Sequence, residues 1–134
     1  MYLDSSALLK LLVEEAESAL LADWIAAQVG VPAVSSELVV VEVVRVIRRI
    51  SPGSEADARA LVSQIDLVPL TGDVVAAAAD VGDPMLRTLD ALHLASALAV
   101  REALTSFVVY DHRLAAAARA AGFEVVNPGA ASTI

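Results

Sequence analysis

Along the 134-residue chain, short β-type apolar runs alternate with longer segments of helical spacing. The runs at 1–4, 66–70, 106–110 and 123–126 predict strands, and a weaker one around Pro32 predicts a strand over 31–35. Between them, apolar residues recurring every three or four positions predict helices over 5–13, 15–29, 38–50, 54–65, 71–81, 88–103 and 111–121. In 15–29, Leu20, Leu21, Trp24 and Ile25 share one side, and Gly30 ends the helix, as Gly122 ends the one over 111–121. Ser51-Pro52-Gly53 and Gly82-Asp83-Pro84 are breaks. Over 38–50 two signals conflict. Val39, Val40, Val41, Val43 and Val44 are β-branched and favour a strand. The run is too long for an ordinary strand, however, and it closes on Arg45, Arg48 and Arg49, as a helix C-terminus prefers. Asn127-Pro128-Gly129 opens a tail with little structure that runs to residue 134. The alternation predicts a single α/β domain over 1–134, with a mainly parallel central sheet and helices on both faces.

Composition changes this picture in two places. Hydrophobic residues make up 57% of the chain and aromatics only 4%, so the core is expected to consist of small aliphatic side chains. The richest apolar stretches, 38–41 and 74–79, fall far short of the roughly 18–20 residues that a bilayer requires. Met1 leads directly into Tyr2-Leu3-Asp4 without a basic segment, which argues against a signal peptide. The chain has no cysteine, in keeping with a reducing cytoplasm. An apolar surplus without a membrane span suggests a subunit interface, with the Val-rich segment 38–50 as the candidate face of a two-fold homodimer.

The charge changes it again. A net charge of −8 argues against a protein that holds nucleic acid by general electrostatics alone. Action on nucleic acid would require metal ions at an acidic site together with a local basic patch.

Asp4 follows the first predicted strand and Asp111 the fourth, and in parallel sheets functional groups gather beyond the carboxyl ends of strands. Each is also a good helix N-cap, so neither is diagnostic alone. Glu42 lies in a helix flanked by valines, where a lone carboxylate needs a partner. Arg45 and Arg49 lie on its side of the helix and offer an intrahelical ion pair. Asp90 stands near the start of the helix over 88–103, where the helix dipole alone favours an acid. Together the four acids are simplest to explain as a site for a divalent cation, which prefers a few carboxylates and retains waters. His93, on an apolar helix, reads as a packed, hydrogen-bonded core group, and His112 as a surface residue. Glu37, Asp73, Asp80 and Asp83 read as cap, turn or solvent residues, and Arg45, Arg48, Arg49 and Arg113 as the candidate phosphate contacts.

Four segments carry a family resemblance: Tyr-Leu-Asp-Ser-Ser-Ala-Leu-Leu-Lys at 2–10, Glu-Val-Val-Arg at 42–45, Leu-Arg-Thr-Leu-Asp-Ala-Leu-His-Leu-Ala at 86–95, and Val-Val-Tyr-Asp-His-Arg-Leu-Ala-Ala-Ala-Ala at 108–118. In order and spacing they resemble the PIN-domain toxins of the VapC group over nearly the whole chain. The resemblance implies a PIN-like three-layer sandwich. It also implies a magnesium- or manganese-dependent endoribonuclease, the toxin of a toxin–antitoxin pair. Asp4, Glu42, Asp90 and Asp111 would be its catalytic and metal-binding acids, with Ser6 and Arg45 in support. The implied partners are an RNA substrate and a small antitoxin with a basic segment. After Asp111 come His112 and Arg113, where some relatives carry a further acid.

Two other functions fit parts of the pattern. A phosphatase or phosphotransferase could use Asp4 as nucleophile, but that class needs a second acid two residues on, where this chain has Ser6, and Lys10 is the only lysine. A PIN-like module that has lost catalysis and only binds partners would not need all four acids.

Overall fold

Tyr2 and Leu3 form the central strand of the sheet and belong to separate cores on its two faces. The computed structural model describes residues 1–131. Strands β1 (Tyr2–Leu3), β2 (Val34–Ser36), β3 (Asp66–Val68), β4 (Phe107–Val108) and β5 (Val125–Val126) form one sheet in the order β3-β2-β1-β4-β5. Every pairing is parallel, and Tyr2 pairs with Val34 on one side and with Phe107 on the other. The helices are α1 (Ser5–Leu12), α2 (Ser18–Ala27), α3 (Leu38–Ile50), α4 (Glu55–Ser63), α5 (Gly72–Asp80), α6 (Thr88–Ala99) and α7 (His112–Ala120).

Side-chain alternation along each strand divides the interior in two. Leu3, Val108 and Tyr110 pack with Ala7, Leu8 and Leu21 and with the inner residues of α3 and α4. Tyr2, Phe107 and Val109 pack on the other face with Leu94, Ala97, Leu114 and Ala118 of α6 and α7. The result is the three-layer α/β sandwich expected from the alternation, with a sheet that is parallel throughout.

Residues 38–50 are helical despite their valines. Val39, Val43 and Ile47, four apart, are fully buried on one stripe, and this packing outweighs the β-preference of the side chains. Val39, Val43, Val44 and Ile47 of the segment are therefore core, while Val40, Val41 and Ile50 remain exposed.

Three boundaries differ from the sequence reading by three residues or more, and the others by at most two. Helix α2 starts at Ser18 rather than at 15, because the Ser18 hydroxyl accepts from the Glu15 N–H and donates to the Val13 carbonyl, holding 15–17 in a turn. Strand β2 starts at Val34, past Pro32, which has no N–H to give a ladder. Helix α6 stops at Ala99, and Arg101–Ala103 form a short 3-10 turn in which Arg101 caps the Ala121 carbonyl and lies over Phe123. The tail is without helix or strand over 127–131, as expected, although Tyr110 donates to the Pro128 carbonyl at 2.7 Å. The rest of the expected tail, 132–134, lies outside the described residues. Among the described residues no helix is long and apolar enough to cross a membrane.

Candidate active site

The strand order places β1 between β2 and β4, so the segments leaving the carboxyl ends of these strands meet above the middle of the sheet. Asp4 leaves β1 and caps α1, and Asp111 follows the β4 segment and caps α7. Glu42 comes from the start of α3 and Asp90 from the first turn of α6. All four acids line one pocket of about 360 Å³, together with Ser5, Ser6 and Arg87.

Capping and pocket lining coexist in Asp4 and Asp111. Asp4 Oδ1 accepts from the Ala7 N–H at 3.0 Å and from the Ser6 hydroxyl at 2.6 Å. Asp111 Oδ1 accepts from the Leu114 N–H at 2.9 Å. Each carboxylate thus spends one oxygen on its helix and keeps the other for the pocket. Ser6 Oγ also accepts from the Tyr110 N–H at 3.0 Å, which ties Asp4 to the chain leaving β4. The small hydroxyl residue expected beside the first acid therefore sets the spacing of two strand ends. Asp4 is only 3% exposed, and this burial pushes its carboxyl up to about 6, even though the Ser6 and Ala7 bonds pull the other way.

Glu42 has a different partner from the one the helix offered. Its Oε1 accepts from His93 Nε2 at 2.6 Å, and His93 Nδ1 accepts from the Tyr2 hydroxyl at 2.7 Å. His93 is 1% exposed, which agrees with its reading as a packed, hydrogen-bonded group. Burial, and after it the charge of Asp4, hold the Tyr2 phenol well above its ordinary range, so it stays a donor. A continuous chain of bonds thus runs from the central strand to an acid of the pocket. Arg45, expected in support of the site, is exposed, does not line the pocket and, among the described residues, makes no ion pair with Glu42. One turn of helix suffices for an ion pair in sequence, but the buried imidazole lies on the inward side where Glu42 points.

The arginine that does reach the pocket is Arg87, the residue before α6. Its Nε donates to Asp90 Oδ2 at 2.9 Å and its Nη2 to Asp111 Oδ2 at 2.8 Å. These bonds, with Asp90 the larger influence, raise the guanidinium's pKa further. Sequence reasoning passed over Arg87. Its signal was a cation at a helix N-terminus, where the dipole disfavours it, three residues before an acid. The other arginines lie elsewhere: Arg48 is 3.8 Å from Glu55, and Arg113 lines a separate, mostly apolar groove of about 690 Å³ with Leu86, Leu94 and Ala117. His112 is exposed, and Asp83 caps the Met85 N–H in the turn before α6, both as expected.

Among the described residues, no three acidic or histidine side chains converge closely enough to hold an ion as they stand. Two of the four acids are spanned by Arg87 and a third is turned to His93. The donor set still fits magnesium or manganese. It is all oxygen, Asp4 Oδ1 alone takes the Ser6 hydroxyl and the Ala7 N–H, and magnesium needs only one or two protein carboxylates besides its waters.

Comparison with known proteins places this geometry in a family. The PIN domain family matches residues 1–126. Ribonuclease VapC47 of Mycobacterium tuberculosis is 45% identical, with 96% of this chain and 97% of that protein covered. Ribonuclease VapC35 of the same species is 39% identical, with 97% and 98% covered. The crystal structure of Mycobacterium tuberculosis VapC20, a toxin that cleaves the sarcin–ricin loop, superposes with a TM-score of 0.72 at 18% identity, over 95% of this chain and 98% of that one. With the fold matched in structure and the sequence matched from end to end, the chain belongs to the PIN-domain family, in its VapC group.

Proposed function

We propose that the chain is a magnesium- or manganese-dependent endoribonuclease and the toxin of a toxin–antitoxin pair. The observation that carries this reading is the meeting of Asp4, Glu42, Asp90 and Asp111 in one pocket at the carboxyl end of a parallel sheet. Its relatives named as ribonucleases support the choice of RNA. In this reading Asp4, Asp90 and Asp111 hold the cation, with Glu42 beside them. The bound ion supplies positive charge to the scissile phosphate and lowers the pKa of an attacking water. The chain's own contribution is positional. Ser6 fixes Asp4 against the β4 segment, His93 fixes Glu42, and the two helix caps fix the angles of Asp4 and Asp111. Use of Asp4 as a phosphoryl nucleophile is disfavoured. Ser6 occupies the place of the second acid, and Lys10 is engaged by Glu15 and Glu17.

The same carboxylates suit inhibition by a small antitoxin with a basic segment. Asp90 and Asp111 accept the Arg87 guanidinium, and an arginine from a partner that displaced it would make the same charge-assisted bonds. A homodimer and a cytoplasmic setting complete the proposal. The test is incubation of the purified chain with a cellular RNA pool and magnesium, followed by mapping of new RNA ends. Discrete ends that vanish in excess chelator are expected, and undiminished cleavage under chelation overturns the reading. Expression of the chain alone should arrest growth, and co-expression of the neighbouring small reading frame should relieve the arrest.

A further inference from the structure

Among the described residues, Arg87 is the one positively charged residue that lines the acidic pocket, and it spans two acids rather than pairing with one. Its side chain is 56% exposed, so packing does not fix it in place. The bonds to Asp90 and Asp111 do, and they consume the pocket-facing oxygen of Asp111, whose other oxygen is committed to the cap of α7. Arg87 and a cation therefore compete for the same lone pairs. Arg87 also lines the pocket wall with Thr88 and Leu89, beside the acids.

We propose that Arg87 has two positions, one spanning Asp90 and Asp111 in the metal-free protein and one on a phosphate oxygen of the RNA once a cation takes those carboxylates. The inference rests on the functional reading above and assigns a residue to it. A guanidinium without a carboxylate partner, at the mouth of a site that binds a phosphodiester, has a bidentate acceptor in that substrate. The exchange gives the Arg87 guanidinium an anionic acceptor in both states. The metal-free acids have a counter-ion, and the loaded site gains a phosphate contact without a new basic residue.

The two positions give Arg87→Gln opposite effects on the two ligands. Manganese titration of the full-length protein by calorimetry should show several-fold tighter binding in Arg87→Gln than in wild type. With manganese saturating, KM for a short RNA should rise by about tenfold, the factor expected for loss of a single charge-assisted contact, with a smaller change in kcat. Arg87→Lys, which keeps the charge but not the fork, should fall between the two in both measurements. Manganese affinity equal to or weaker than wild type in Arg87→Gln overturns the proposal, and so does an unchanged KM. A wild-type chain that binds manganese but cuts no RNA would instead overturn the nuclease reading, leaving the competition between Arg87 and the metal to be read from calorimetry alone.

Discussion

Asp4 has two roles that pull against each other: it caps α1, and it brings a carboxylate into the interior. Because burial raises its folded-state pKa from 3.8 to about 6, the folded chain keeps a proton there that the unfolded chain has already lost. Its contribution to stability is thus greatest below about pH 4, declines as pH rises toward 6, and is absent above. Asp4→Asn keeps an oxygen for the Ala7 N–H and removes the buried charge. In metal-free protein at pH 7.5 it should raise stability, by on the order of 2 kcal/mol, while nearly abolishing RNA cleavage. Urea melts at pH 4.5 and 7.5 check the sign, and a variant less stable than wild type at the higher pH would return Asp4 to a purely capping role. His93 offers a second test. His93→Leu leaves the Tyr2 hydroxyl and Glu42 without their partner and should cost about 2–4 kcal/mol. His93→Gln should recover part of both stability and kcat. The four acids could be named from sequence because each stands at the start of a helix or among valines. The partner of Glu42 could not, since His93 lies 51 positions away and only the packing of α6 on the sheet brings it near.

Among the elements, α3 shows how burial overrides propensity. Its buried stripe and its exposed side carry the same residue type, so substitutions on the two sides should part company. Ile47→Ala is expected to cost about 2–4 kcal/mol through the cavity it leaves, whereas Val41→Ala, half-exposed, should change stability by less than about 0.5 kcal/mol. Denaturant titration of both variants decides the matter. Length and the closing arginines were enough to read α3 as a helix. Strand ends were harder, because these strands are two or three residues long and tertiary bonds, rather than local pattern, limit them. Ser18 and its turn over 15–17 show the same effect at a helix start.

For the whole molecule, the governing quantity is the net charge of −8. RNA affinity should depend on divalent cation far more than on monovalent salt, with a shallow slope of log K against log salt compared with a protein that makes many lysine or arginine contacts. A steep slope in the absence of divalent cation would point to a basic surface that the folded chain does not display at the pocket. The proposed dimer belongs to this scale too. Light scattering at micromolar concentration should give twice the 13.9 kDa of one chain, and Val41→Glu, on the exposed side of α3, should shift it toward monomer.

The central place of β1 has a consequence in time. Tyr2 is made more than a hundred residues before its neighbour Phe107, and Asp111 follows that. At about 5–20 residues per second, the ribosome needs roughly 5–20 s to pass from Asp4 to Asp111. During that interval the growing chain carries Asp4, Glu42 and, later, Asp90, but it has no strand on the β4 side of β1 and no Asp111. A site built in this order stays incomplete on the growing chain until the segment that follows β4 has been made.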